Sequence, residues 1–429
     1  MAASLIPRCY PPIRLPNRKN EDVMDAGVPL VDIASRPPSW RRWPETAMVL
    51  KALMEEGGHA RFVGGCVRDA LIGIDSEDID IATDLLPGAV LQGLERAGIT
   101  AIPTGLDHGT VTAVCGHRRF EITSLRVDVI SHGRHAEVAF THDWELDAAR
   151  RDFTFNALYL DPNGELVDPV GGLADLARRH VRFIGQAEDR LREDRLRVLR
   201  YFRFYARFGD DNPDEEALAA CVRWADRLDT LSVERVQKEM LLLLGTENPV
   251  PALRLMAETG VLAAITGENT DIERLQRMLS LRRSSDALLR FAALLGGEAG
   301  AMRRLAGKWR FSNKQKERLA CMTGGEVTAG LDANASRALL YRLGTEAVVD
   351  QAMLLASCAG RLDEYQTCFD AAEGWVKPQF PLSGHDLRAH GMSEGAEIGR
   401  QLREMEERWI ASGFTLSRTE LLTSLRRDT

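Results

Sequence analysis

The sequence predicts an α+β chain in which a small α/β head precedes a long all-α body. Three observations carry this. Between residues 45 and 185 short apolar runs alternate with helical segments. From residue 186 onward apolar side chains recur almost wholly at three- and four-residue spacing. The 429 residues, 45% hydrophobic and 28% charged, have the composition of an ordinary globular protein with roughly two to four packing units. Fifty-five Lys and Arg against 63 Asp and Glu give a net charge of −8, which excludes a uniformly basic nucleic-acid coat but leaves room for a local basic site. No apolar run approaches the ~18 residues of a membrane span. Seven scattered cysteines without a CxxC pair argue against a disulfide framework or zinc cluster, so a reducing, cytoplasmic location is expected.

The elements follow in order. Residues 1–44 hold eight of the 17 prolines and no sustained periodicity, and read as an irregular Pro-rich extension. They lack the apolar core of a secretory signal, and Met24 is a plausible later start. Residues 45–57 form a helical segment, 61–63 a short apolar run ending in Gly64-Gly65 before another helix, and 78–82 a strand-like run. Residues 110–115 and 119–124 flank Gly116-His117 as a β-hairpin, with Phe120 and Ile122 on one side and Arg119, Glu121 and Thr123 on the other. Helices are expected near 189–208, 214–228, 232–244, 249–260, 272–281 and 285–296, with a capping box from Ser312 to Gln315 starting another.

Chemistry concentrates in three blocks. In residues 61–84, a strand runs through Gly64-Gly65 into a helix, which lets backbone approach a phosphate at a helix N-terminus. Arg68, one turn on, can pair with a triphosphate. Asp78 and Asp80, two apart on an extended run, point to one face. A lone Asp-x-Asp is usually a solvated turn. Behind a glycine doublet at this spacing, the pair suits Mg²⁺, a hard cation that takes carboxylate and phosphate oxygens, and two-metal phosphoryl transfer. Glu121, on the polar side of the hairpin, is a candidate third ligand.

In residues 143–161, Arg150 and Arg151 precede Asp152, with Asn156 four residues beyond. Adjacent arginines beside a carboxylate can clamp ribose and triphosphate. In residues 193–209, a helical wheel puts Leu196, Leu199, Phe202 and Ala206 on an inward stripe, with Arg200, Arg203 and Arg207 in a strip beside it. Asp194 and Arg197 fall further around. Residues 178–207 hold ten arginines, four acids and no lysine, an excess that fits phosphate contacts better than a merely solvated helix.

The first block resembles the nucleotidyltransferase superfamily that includes DNA polymerase beta. All three blocks in this order, over about residues 60–245, resemble the class II CCA-adding tRNA nucleotidyltransferases and their relatives, the bacterial poly(A) polymerases. The resemblance implies a head with a mixed sheet (45–185), a helical neck with a nucleotide-selecting helix (186–245), and a helical body and tail contacting tRNA (246–429). It implies Asp78 and Asp80 as catalytic metal ligands. Gly64, Gly65, Arg68, Arg151, Asp152, Asn156, Arg200 and Arg203 are implied as nucleotide contacts. Asp194 and Arg197 take the two places that select the incoming base. Residues 231–240 resemble the family's neck-bracing element, and 383–402 a tail motif in which His385-Asp386 is not taken as a metal site. The expected activity is addition of C, C and A to tRNA 3′ ends from CTP and ATP, with Mg²⁺ and no membrane partner. A poly(A) polymerase, or an A-only or CC-only specialist, is the alternative on the same scaffold. A non-catalytic RNA-binding protein would show damaged carboxylates or arginines, and neither is seen.

Overall fold

The computed structural model describes residues 29–132, 135–281, 286–392 and 395–425. The chain divides into two compact units, Met1–Gly267 and Glu268–Thr429. This division falls beyond the 245/246 boundary expected from sequence, because the helices just after 246 pack on the preceding ones.

Residues 1–28, with Met24, lie outside the described residues. The remainder of the expected irregular extension belongs to the first unit. Val31 N–H donates to the Leu71 carbonyl at 2.7 Å. Trp40, in a short 3-10 turn, is fully buried with its ring 4.6 Å from that of Phe62. Proline density hid this segment's apolar anchor.

Pro44 at a helix start, where its missing N–H costs nothing, opens α1 (Pro44–Glu55). There follow β1 (Ala60–Val63), α2 (Gly65–Leu71), β2 (Ile79–Thr83), α3 (Pro87–Arg96), β3 (Thr100–Gly105), β4 (Thr110–Cys115) and β5 (Arg118–Ser124). A hairpin of β6 (Arg126–His132) and β7 (His135–Phe140) forms a separate pair. After α4 (Trp144–Ala149), β8 (Tyr159–Leu160) and β9 (Leu166–Val167) complete a seven-stranded sheet of order β3-β4-β5-β2-β1-β8-β9. Only β2 and β5 run parallel, so the sheet is mixed.

Alternation decides the faces. Val111, Ala113, Cys115, Phe120 and Ile122 are buried on the side where α1 and α3 pack. Asp80 pairs in register with Glu121, and Glu121 with Thr112, along the opposite face. The hairpin predicted around Gly116-His117 is present, with Gly116 at φ +59° in the turn.

Helices α5 (Gly172–Ala177), α6 (Ala187–Glu193), α7 (Arg197–Phe208), α8 (Glu215–Trp224), α9 (Val233–Leu244), α10 (Val250–Glu258) and α11 (Val261–Thr266) finish the first unit. The single helix expected over 189–208 is two. Asp194 leaves α6 in an extended conformation (φ −147°, ψ 108°), and its carboxylate accepts from the Leu196 N–H at 3.0 Å. A short acceptor competing with the helical ladder explains the break. Leu196, at the cap of α7, and Leu199 and Phe202 on it are buried as expected, whereas Ala206 is half-buried because Tyr205 and Phe208 take the inward positions there. Phe153 stacks on Phe183 (4.8 Å) and meets Phe204 of α7 edge-on (5.1 Å), which fixes the chain around Asp152 against α7.

The second unit is helical among its described residues, from α12 (Ile272–Ser280) to the closing helix Arg418–Leu425. The capping box of Ser312 and Gln315 is present. Asp386 caps its own helix through Ser383 and pairs with Arg418, which leaves it a structural residue. Among the described residues no helix is long and apolar enough to cross a membrane.

Candidate active site

Gly64 closes β1 at φ +73°, ψ −125°, a conformation open without strain only to glycine. Gly65 begins α2, so the doublet turns the chain directly into a helix N-terminus. One turn on, Arg68 is only 5% exposed. Its Nε donates to Asp69 at 2.9 Å and its Nη1 to the Asn156 side-chain oxygen, over the Phe208 ring.

From Arg68 an alternation of cations and acceptors crosses the first unit. Arg207 of α7 reaches the other Asp69 oxygen at 3.0 Å. Asn156 donates to Asp152 Oδ1 at 3.0 Å, and Arg200 Nε to Asp152 Oδ2 at 2.7 Å. Arg200 also lies 3.9 Å from Glu239 of α9, which pairs with Arg203 at 2.7 Å. Despite its burial, the Asp152 carboxyl is held well below the usual range by Arg200 and Asn156. Each guanidinium of the strip is therefore held from behind, a preorganised rather than mobile basic surface.

A second anchor is Asp147, 1% exposed on α4. One of its oxygens accepts from Arg150 Nε at 2.8 Å; the other accepts from Arg151 Nε at 3.1 Å and the Tyr159 hydroxyl at 2.8 Å. Against its own burial, Arg151 and Arg150 hold this carboxyl down at about 2.

The break between α6 and α7 presents the third pair. Asp194 is held by Arg235 of α9 at 2.5 Å. Arg197, first residue of α7, is held by Glu193 and by the Arg190 carbonyl at 3.0 Å.

These groups surround one cleft of about 450 Å³. Gly64, Gly65, Arg68, Arg151, Asp152, Asn156, Asp194, Arg197, Arg200 and Arg203, all expected from sequence as nucleotide contacts, line it together with Asp80. Eight arginines against three aspartates make it strongly positive in a chain of net charge −8.

Asp78 and Glu121 are not in that lining. Asp78 sits exposed in a bend just before β2, so the strand begins one residue later than expected. Glu121 is exposed on β5 directly beside Asp80. Among the described residues no three His, Cys, Asp or Glu side chains converge into a metal-sized cluster, so the three acids are neighbours rather than a closed cage. Their electrostatics nonetheless suit a cation. Burial first, then Glu121, push the Asp80 carboxyl up to about 7; Arg151 opposes the rise and Asp78 adds to it. A divalent ion would relieve that repulsion and take the oxygen ligation these carboxylates supply.

Sequence reasoning missed the anchors Asp69, Asp147, Glu193, Arg235 and Glu239. Asp147 and Glu193 left a local signal, each an acid four residues before an arginine, Arg151 and Arg197. The partners of Glu239 and Arg235, and Arg207 as the second partner of Asp69, lie too far away along the chain to be paired by spacing.

Residues 60–182 match the family described as "Poly A polymerase head domain", and residues 212–268 that described as "Probable RNA and SrmB- binding site of polymerase A". The chain is 34% identical to the mitochondrial CCA tRNA nucleotidyltransferase 1 of Mus musculus, over 88% of this chain and 90% of that one. It is 30% identical to a CCA-adding enzyme of Lactobacillus delbrueckii, over 84% of this chain and 91% of that one. Among solved structures it resembles the Bacillus stearothermophilus CCA-adding enzyme in complex with CTP, with TM-score 0.72, 27% identity, and coverage of 90% of this chain and 96% of that one. The chain belongs to the CCA tRNA nucleotidyltransferase family.

Proposed function

We propose that this protein adds C, C and A without a template to the 3′ end of tRNA, from CTP and ATP, with release of pyrophosphate. The observation that carries the reading is one cleft holding the glycine turn, the arginine strip, Asp80, and the Asp194–Arg197 pair. The names of the relatives at 30–34% identity favour CCA addition over poly(A) synthesis.

The arginines bind the triphosphate. Arg151, Arg200 and Arg203 offer fixed forks to its oxygens and neutralise the charge that develops as pyrophosphate departs. Arg68 and Asp152 are buried, and serve by holding the glycine turn, Asn156 and Arg200 in place. Asp194 accepts from the exocyclic amine of C or A, and Arg197 donates to the adjacent ring nitrogen. G and U present acceptors and donors in the reverse order, and are rejected by the unpaired groups they would leave.

Asp78 and Asp80, with Glu121 beside them, would hold the divalent ion, Mg²⁺ by donor chemistry. When bound it supplies Lewis-acid activation of the terminal ribose hydroxyl and stabilisation of the transferring phosphoryl group. That hydroxyl attacks the α-phosphorus in line, its proton leaves to solvent, and the bond to pyrophosphate breaks. The six described cysteines are free thiols, four of them buried, which fits a cytoplasmic location.

The test is incubation of the purified protein with tRNA ending before its CCA, followed by sequencing of the product. Two C and one A, then arrest, is the expected result. Long A tracts on unrelated RNA would instead identify a poly(A) polymerase, and arrest after CC, or A added only to tRNA ending in CC, a partial specialist.

A further inference from the structure

Arg151 has two acidic neighbours, and the structure shows it committed to one of them. Its Nε and Nη2 both engage Asp147 Oδ2, at 3.1 and 3.0 Å. Its remaining nitrogen, Nη1, lies 3.8 Å from the point a Cβ on Gly64 would occupy, and Asp80 Oδ2 lies 4.0 Å from that same point. The two groups therefore border the same point of the glycine turn, no more than about 8 Å apart. Arg151 is half-buried beside the Tyr159 ring, and Asp80 is half-buried as well, so an ion pair between them would be poorly screened. Such a pair would occupy the oxygens that a divalent cation needs.

From this geometry we infer that Asp147 is a positioning residue that holds Arg151 off Asp80, keeping the aspartate open to metal while Arg151 Nη1 stays turned toward the cleft. Three features of Asp147 fit this task. It is fully buried, so its position is fixed by packing on α4. It takes Arg151 through the Nε and Nη2 edge, which sets the plane of the guanidinium. Its second oxygen takes Arg150 in the same way, with the Arg126 N–H at 3.4 Å, and the Tyr159 hydroxyl joins Arg151 on the first. Asp147 thus orients two cleft arginines without lining the cleft itself. The inference rests on the reading of Asp78 and Asp80 as metal ligands.

The experiment is Mn²⁺ binding to the full-length protein without nucleotide, followed by titration calorimetry, on wild type, Asp80→Ala, Asp147→Asn, and Asp147→Asn with Arg151→Gln. Asp147→Asn is expected to weaken Mn²⁺ by about tenfold or more, the scale of lost outer-shell support. Removing Arg151 as well is expected to restore wild-type binding, which no purely structural defect at Asp147 would do. Mn²⁺ affinity unchanged in Asp147→Asn, or still lost in the double variant, overturns the inference. Should Asp147→Asn fail to fold by circular dichroism, Asp147→Asn with Arg150→Gln strands one charge fewer and is read by the same titration, with weakening supporting and no change opposing. Wild-type binding that survives Asp80→Ala would sink the metal reading itself, separately from the role of Asp147.

Discussion

Arg197 and Asp194 are each held by another side chain, Glu193 for one and Arg235 for the other, so selection can be dissected one residue at a time. Arg197→Ala removes the donor proposed above to meet C or A. The ratio of kcat/KM for CTP over UTP is predicted to fall by about 100-fold or more, the scale of a site left unable to pair with its base. A ratio unchanged in steady-state assays would remove Arg197 from selection. The acid stability of the fold tests a different residue. Asp147 sits at about 2 in the folded protein against the usual 3.8, so its contribution is present above pH 4 and lost as pH falls through 2. Urea melts should show wild type losing on the order of 2 kcal/mol more than Asp147→Asn across that window, since Asp152 and Asp386, also held low, respond in both. Asp147→Asn, less stable at neutral pH, should lack only that extra loss.

At the scale of elements, the turn from β1 into α2 is the most constrained. Gly64→Ala forces a Cβ into φ +73°, ψ −125°, at a cost of about 1–3 kcal/mol. A lower melting temperature and a raised KM for CTP are predicted together, since Asn156, Arg151 and Asp80 all border that position. A melt and KM like wild type would show that the turn is not strained. This turn was legible from sequence, because a glycine doublet between an apolar run and a helix has few other uses. The break at Asp194 was not. Apolar residues continue on both sides of it, and periodicity cannot register a carboxylate that takes the Leu196 N–H and stops the ladder. The edge strand β3 escaped for a related reason: it is largely exposed and shows no alternation to read. β8 and β9 are two residues each, too short for any period.

Over the whole molecule, the acidic total conceals a cleft of opposite sign, and the crowding of arginines in residues 178–207, with Arg68 and the Arg150-Arg151 pair, betrayed it in the sequence. The residues lining the cleft, Arg235 apart, were legible as three colinear blocks. The acids that hold them from afar were not, as where Asp69 meets Arg207 across 138 positions. Every residue of the cleft lies in the unit Met1–Gly267. A fragment ending at Gly267 is therefore predicted to bind CTP as the full chain does, by equilibrium titration. A folded fragment without CTP affinity would show that the nucleotide site extends beyond this unit. The carboxylates beside the cleft are tested most directly by single-turnover transfer of CMP from CTP to tRNA lacking its CCA, comparing wild type with Asp80→Ala. A loss of about a thousandfold in rate with CTP binding retained is predicted, the several kcal/mol that metal-assisted transfer supplies. Transfer at the wild-type rate in Asp80→Ala would contradict the assignment of chemistry to this site.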